Sequence, residues 1–136
     1  MNRRLFIAIA LVGMTAACRG DSVTDPIVEV SGTYTLATVN GSPVPFTLSS
    51  SAGSTVMVVS GSVTLNATGT FSAVTVLRST SGTTSTTQSQ TATGTWTRAN
   101  ATVSLKDASD GSVNTAQYSA GSLTASTGGF TLIYRT

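Results

Sequence analysis

The sequence has no histidine, one cysteine at position 18, and only 9% charged residues. Each shortage removes a class of chemistry. Without imidazole there is no Ser–His or Cys–His pair and no histidine-based zinc site. With one thiol there is no internal disulfide and no paired-cysteine metal or redox motif. The closest carboxylates beyond the first thirty residues are Asp107 and Asp110, in Lys106-Asp107-Ala108-Ser109-Asp110-Gly111. That setting is what a tight turn demands, so a turn is expected there rather than an acid–base pair. A calcium ion would need more oxygen ligands than this loop supplies. No catalytic residue, metal site or cofactor is expected, and the chain reads as a non-enzyme.

What the sequence does have is neutral polarity: Ser and Thr make up about a third of its 136 residues. Thr is β-branched and suits a half-wet strand face, whereas the good helix formers are scarce after the first twenty residues. The length allows one domain with one modest core. The formal charge of +2 includes Arg3 and Arg4. Beyond them, Arg19, Arg78, Arg98, Lys106 and Arg135 balance Asp21, Asp25, Glu29, Asp107 and Asp110. No electrostatic footprint for nucleic acid remains.

The first eighteen residues, MNRRLFIAIALVGMTAAC, place two arginines before an apolar run over 5–14 and small residues before Cys18. The run is shorter than the roughly 20 residues a membrane-crossing helix needs, so a secretory signal over residues 1–17 is expected. Small residues leading into the only cysteine resemble the bacterial lipobox. Ala16, Ala17 and Cys18 match it, while Thr15 stands where an aliphatic residue is usual. That resemblance implies lipidation of Cys18 and, from Arg19 after the cysteine, an outer-membrane location. Acyl chains contribute about 0.8 kcal/mol per buried methylene, enough for stable anchoring. The alternative is cleavage by an ordinary signal peptidase, which gives a soluble periplasmic or secreted protein. Residues 18–30 read as the lipidated cysteine and a flexible tether, and 31–136 as the folded domain.

From Gly32 the chain breaks into short Thr- and Val-rich runs separated by Gly, Asn, Asp and Ser, which is a β pattern. The run over 32–39 ends at Asn40-Gly41, a strong hairpin signal. Pro43 and Pro45 confine residues 44–48 to an edge or an irregular crossing. Residues 55–59 and 63–65 read as one long strand bulged at Ser60-Gly61. A strand follows over 70–80, then a solvated Thr-rich strand over 83–93. Further runs cover 94–98, 102–106, 112–119, 122–126 and 130–135. The result is all-β, with about eight to ten strands in a small antiparallel up-and-down barrel whose last strand closes on the first.

The segments GTYTLATVNGSPVPF, VSGSVTLNATGTF, GTWTRANATVSL and FTLIYR resemble bacterial lipocalin-like lipoproteins. The opening is also similar to the small META-type envelope domains, whose Gly-Cys-Asn signature is absent. The lipocalin-like resemblance implies a noncatalytic, monomeric envelope lipoprotein that takes up a small apolar or amphipathic molecule. The alternative is a structural or protein-interaction lipoprotein with a filled barrel. Tyr34, Phe71, Trp96, Tyr118, Phe130 and Tyr134 are the candidate ligand-lining residues, each of which can equally pack the core. Arg78, Arg98 and Arg135 are expected to be solvated.

Overall fold

A computed structural model describes residues 30–136, so Cys18, the signal segment and most of the tether lie outside the described residues. Ten strands follow one another: β1 (Gly32–Val39), β2 (Ser42–Pro43), β3 (Phe46–Ser51), β4 (Ser54–Leu65), β5 (Thr70–Ser81), β6 (Thr84–Ala99), β7 (Thr102–Asp107), β8 (Val113–Ser119), β9 (Ser122–Thr127) and β10 (Phe130–Arg135). The fold class is as the sequence predicts. Strands β4 to β10 form a meander, and β1 closes it by pairing with both β10 and β4. The outcome is a closed antiparallel barrel of eight strands, with β2 and β3 attached outside the ring.

The seam is held in halves. Residues 32–35 of β1 pair with β4, and Thr35 to Val39 pair with β10, including Leu36 opposite Tyr134. A register shift between Leu36 and Thr38 lets one strand serve both neighbours. Asn40 and Gly41, at φ 50° and 81°, form the two-residue turn into β2. Asn40 also ties the seam to β10, since its backbone N–H donates to the Thr131 carbonyl and its Oδ1 accepts from the Thr131 N–H, both at 2.8 Å.

The long strand predicted through Gly61 is β4, bulged between Val58 and Ser60. Two boundaries differ from expectation. The Thr-rich run and the tryptophan run are one strand, β6, continuous through Gly94. A Cβ at Gly94 would lie 1.9 Å from the Lys106 carbonyl oxygen, so the glycine permits close strand approach rather than ending a strand. Val30, read as tether, is fully buried, because it plugs the barrel end where its carbonyl accepts the Tyr34 hydroxyl.

Strand ends define two poles. The turns after β4, β6 and β8 lie at one, the floor, with the start of β1. At the other, the mouth, β4, β5 and β6 run past the ring. β6 pairs with β7 only from Gly94 to Ala99, while its earlier residues pair with β5 alone. With β3 on β4, these segments form a four-stranded extension standing over the mouth.

Candidate functional site

Alternation sends every second side chain inward, and size differs from pole to pole. At the floor, Tyr34, Leu65, Trp96, Val103 and Leu123 are buried. Trp96 donates its indole N–H to the Asn66 carbonyl at 2.9 Å, so its only polar atom is satisfied. Arg98, two residues on and thus on the same face, stacks its guanidinium 5.3 Å from the Tyr118 ring centre and donates Nε–H to the Asn100 carbonyl at 2.6 Å. The expectation that Arg98 is solvated is corrected: strand period carries it inside with Trp96, and an aromatic face and a carbonyl receive it. Burial pushes the Tyr34 phenol above its ordinary pKa; nearby Tyr118 adds to this and Arg98 opposes it.

Toward the mouth the inward positions become small. Gly61 on β4, Ala73 and Thr75 on β5, Ala92 and Gly94 on β6, Ala116 on β8, and Ala125 and Thr127 on β9 occupy them. Two adjoining hollows result. One, of about 240 Å³, lies in the barrel among Val63, Phe71, Ala73, Ala92, Ala116 and Ala125. The other, of about 250 Å³, lies at the mouth between Leu48, Val58 and Leu77 of the extension and Phe130 and Leu132 of β10. Thr75, Thr127, Leu132 and Tyr134 line both. Each alone falls below the roughly 300 Å³ at which small-molecule sites begin, while the pair together reaches that range.

Across the mouth, the Phe46 ring of β3 meets Phe130 of β10 edge to face, centroids 6.3 Å apart. The extension is therefore packed against the β9–β10 hairpin and narrows the entrance. Polar residues at the walls are Gln90 at the mouth hollow, Asp107, Asn114, Thr115 and Ser126 at the inner one, and Thr75, Thr127 and Tyr134 on both. Tyr134 is 9% exposed, and its hydroxyl makes no hydrogen bond to a described residue. Burial raises its pKa, which keeps it a neutral donor well into the alkaline range. Asp107 and Asp110 serve the β7–β8 turn, accepting from the backbone N–H groups of Ser109 at 2.7 Å and Ser112 at 2.8 Å. Among the described residues no group of three or more His, Cys, Asp or Glu side chains converges.

The six aromatic candidates thus divide. Phe71, Phe130 and Tyr134 line the hollows, whereas Tyr34, Trp96 and Tyr118 belong to the floor. Sequence reasoning sought the site in large side chains and missed the small ones. Its available signal was the alanine at alternate positions of four strands, in register with Phe71, Trp96, Tyr118 and Leu123. No protein-family model, curated protein or solved structure matches this chain.

Proposed function

We propose that this chain is a noncatalytic, lipocalin-like lipoprotein of the bacterial envelope whose barrel takes up a small apolar or amphipathic molecule. In this reading acylated Cys18 anchors the protein, in the outer membrane by the Arg19 sorting resemblance. The observation that supports uptake is the unequal filling of the barrel: one pole is packed with aromatics, while the other is left hollow by alanine, glycine and threonine. A guest with an apolar body and a polar head matches walls that join Leu, Val, Phe and Ala to Thr75, Thr127 and Tyr134. No cation lines either hollow, which favours a neutral head group over a carboxylate.

Native mass spectrometry after exposure to envelope lipid extract tests the reading. A retained adduct, lost when Ala73 and Ala125 are both replaced by Leu, is the expected result; repeated absence of any adduct would count against it. Intact mass of the membrane-extracted chain tests anchoring separately, expecting a diacylglyceryl-modified Cys18. The second reading, an interaction lipoprotein, draws support from the long uncharged edge of β6.

A further inference from the structure

The extension over the mouth has two free edges, and they are built differently. The β3 edge is blunted by Pro43 and Pro45 before it and by a register shift between Thr47 and Ser49. These are the devices by which sheet proteins prevent strand addition. The β6 edge has none of them. Residues 84–91 are all exposed, hold no charge, proline or glycine, and keep an unshifted register with β5 along their whole length. Thr is a strong strand former, so this edge is long, regular and undefended.

Its hydrogen-bonding groups can be assigned by parity. The Trp96 N–H points to the β5 side, onto the Gly69 carbonyl, whereas the Thr93 carbonyl accepts from Ala108 on the opposite side. In an antiparallel ladder the direction alternates, so the N–H and C=O groups of Ser85, Thr87, Ser89 and Thr91 face the open edge. The sequence around Ser89 is close to its own reverse: Gln88 mirrors Gln90, Thr87 mirrors Thr91, and Ser85 is matched by Thr93.

We propose that the β6 edge is a self-association surface on which a second copy of this chain adds antiparallel, with Ser89 opposite the partner's Ser89. A two-fold axis through that pair is a closed, isologous arrangement. Ser89 and the Thr87–Thr91 pairs then exchange about six backbone hydrogen bonds. Gln88 falls opposite the partner's Gln90 at a close, non-hydrogen-bonded position, where side-chain amides can bond to each other. No like charges oppose, since the edge carries none. The axis lies perpendicular to the joined sheet, so the inward faces of the two extensions share one side, while the two mouths, set along antiparallel strands, point toward each other. This departs from the monomer expected from the sequence, and it is independent of what the barrel holds.

The test is sedimentation equilibrium of the full chain carrying Cys18→Ser, over concentrations up to the millimolar range, with two edge variants, and crosslinking of two cysteine variants. Ser89→Pro removes an N–H that faces the open edge and leaves the ladder to β5 intact. The double change Thr87→Lys, Thr91→Lys sets positive charges against each other across the axis. Each is expected to raise the dimer dissociation constant by more than about tenfold, with an unchanged far-ultraviolet circular dichroism spectrum; should Ser89→Pro lose that spectrum, the lysine pair carries the test. Ser89→Cys is expected to form an interchain disulfide, because paired Cα atoms there are about 5.5 Å apart. Ser85→Cys, whose copies would be about 27 Å apart at 3.4 Å per residue, is expected not to. A chain monomeric at every concentration, a dimer indifferent to both edge variants, or equal crosslinking at positions 85 and 89 overturns the proposal.

Discussion

The two poles of one barrel are made from the same strands yet solve different problems. At the floor, the inward positions hold Tyr, Trp, Leu and Val, with Arg98 laid over the Tyr118 ring, and the polar tips of Tyr34 and Trp96 end on carbonyls. At the mouth, the same strands carry Ala, Gly and Thr, and the Tyr134 hydroxyl ends on no described residue. The floor is therefore where stability is concentrated, and the mouth is where volume is left. Side-chain size at alternate positions makes part of the difference, and strand pairing makes the rest, since the β8–β9 ladder ends at Ala116 and Ala125, and Thr115 and Ser126 beyond it, unpaired with each other, line the inner hollow.

That contrast predicts where substitutions hurt. Trp96→Ala opens a cavity in the floor and leaves the Asn66 carbonyl with the Gly69 N–H as its remaining donor, and it is expected to cost about 3–5 kcal/mol in urea unfolding. Equal tolerance at the floor and mouth would break the comparison. Gly94→Ala probes the boundary between the poles, where the new methyl meets the Lys106 backbone carbonyl as well as the Phe71 ring. A loss of about 1–3 kcal/mol is expected from overpacking, measured the same way. Tyr34→Phe removes one buried hydrogen bond to Val30 and leaves the ring in place. Its expected cost is about 1 kcal/mol, read as a small fall in the thermal midpoint.

Much of this was legible in the sequence, for identifiable reasons. The hairpin at Asn40-Gly41, the bulged strand through Gly61 and the closure by Phe130 to Arg135 each rest on local turn chemistry or strict alternation, which read directly. Val30 was not legible, because the alternation of Val28 and Val30 about Glu29 is too short a period, after Pro26, to separate a buried plug from the end of a tether. Gly94 read as a break because glycine marks both strand ends and close strand approach, and only the neighbouring Lys106 carbonyl separates the two. Arg98 was within reach, since Trp96 fixes the inward parity and Arg98 shares it. The hollow was the hardest feature to anticipate. It is an absence of side-chain volume, expressed by alanines on strands that are distant in sequence.

Titration gives the smallest and broadest contrast. Burial holds Tyr34 and Tyr134 above the ordinary value of 10.0, so the folded state keeps protons that the unfolded chain releases. Stability is then full below pH 10 and falls as pH rises through the folded values. On the acid side, the Ser112 backbone and side chain hold Asp110 below its ordinary 3.8. Its contribution is present above that value and is lost as pH falls through the lower, folded one. With no histidine in the sequence, melting temperature is expected to be flat between these limits, and a midpoint near neutrality would contradict the account.

The central claim, a barrel packed at one pole and hollow at the other, is tested most directly with a neutral apolar fluorescent probe titrated into the full chain and into Ala73→Leu, Ala125→Leu. The account predicts saturable, one-to-one enhancement with the parent and none with the filled variant, whose melting temperature stays equal or rises. Equal enhancement in both, or a filled variant that unfolds because no space existed for the leucines, would contradict it.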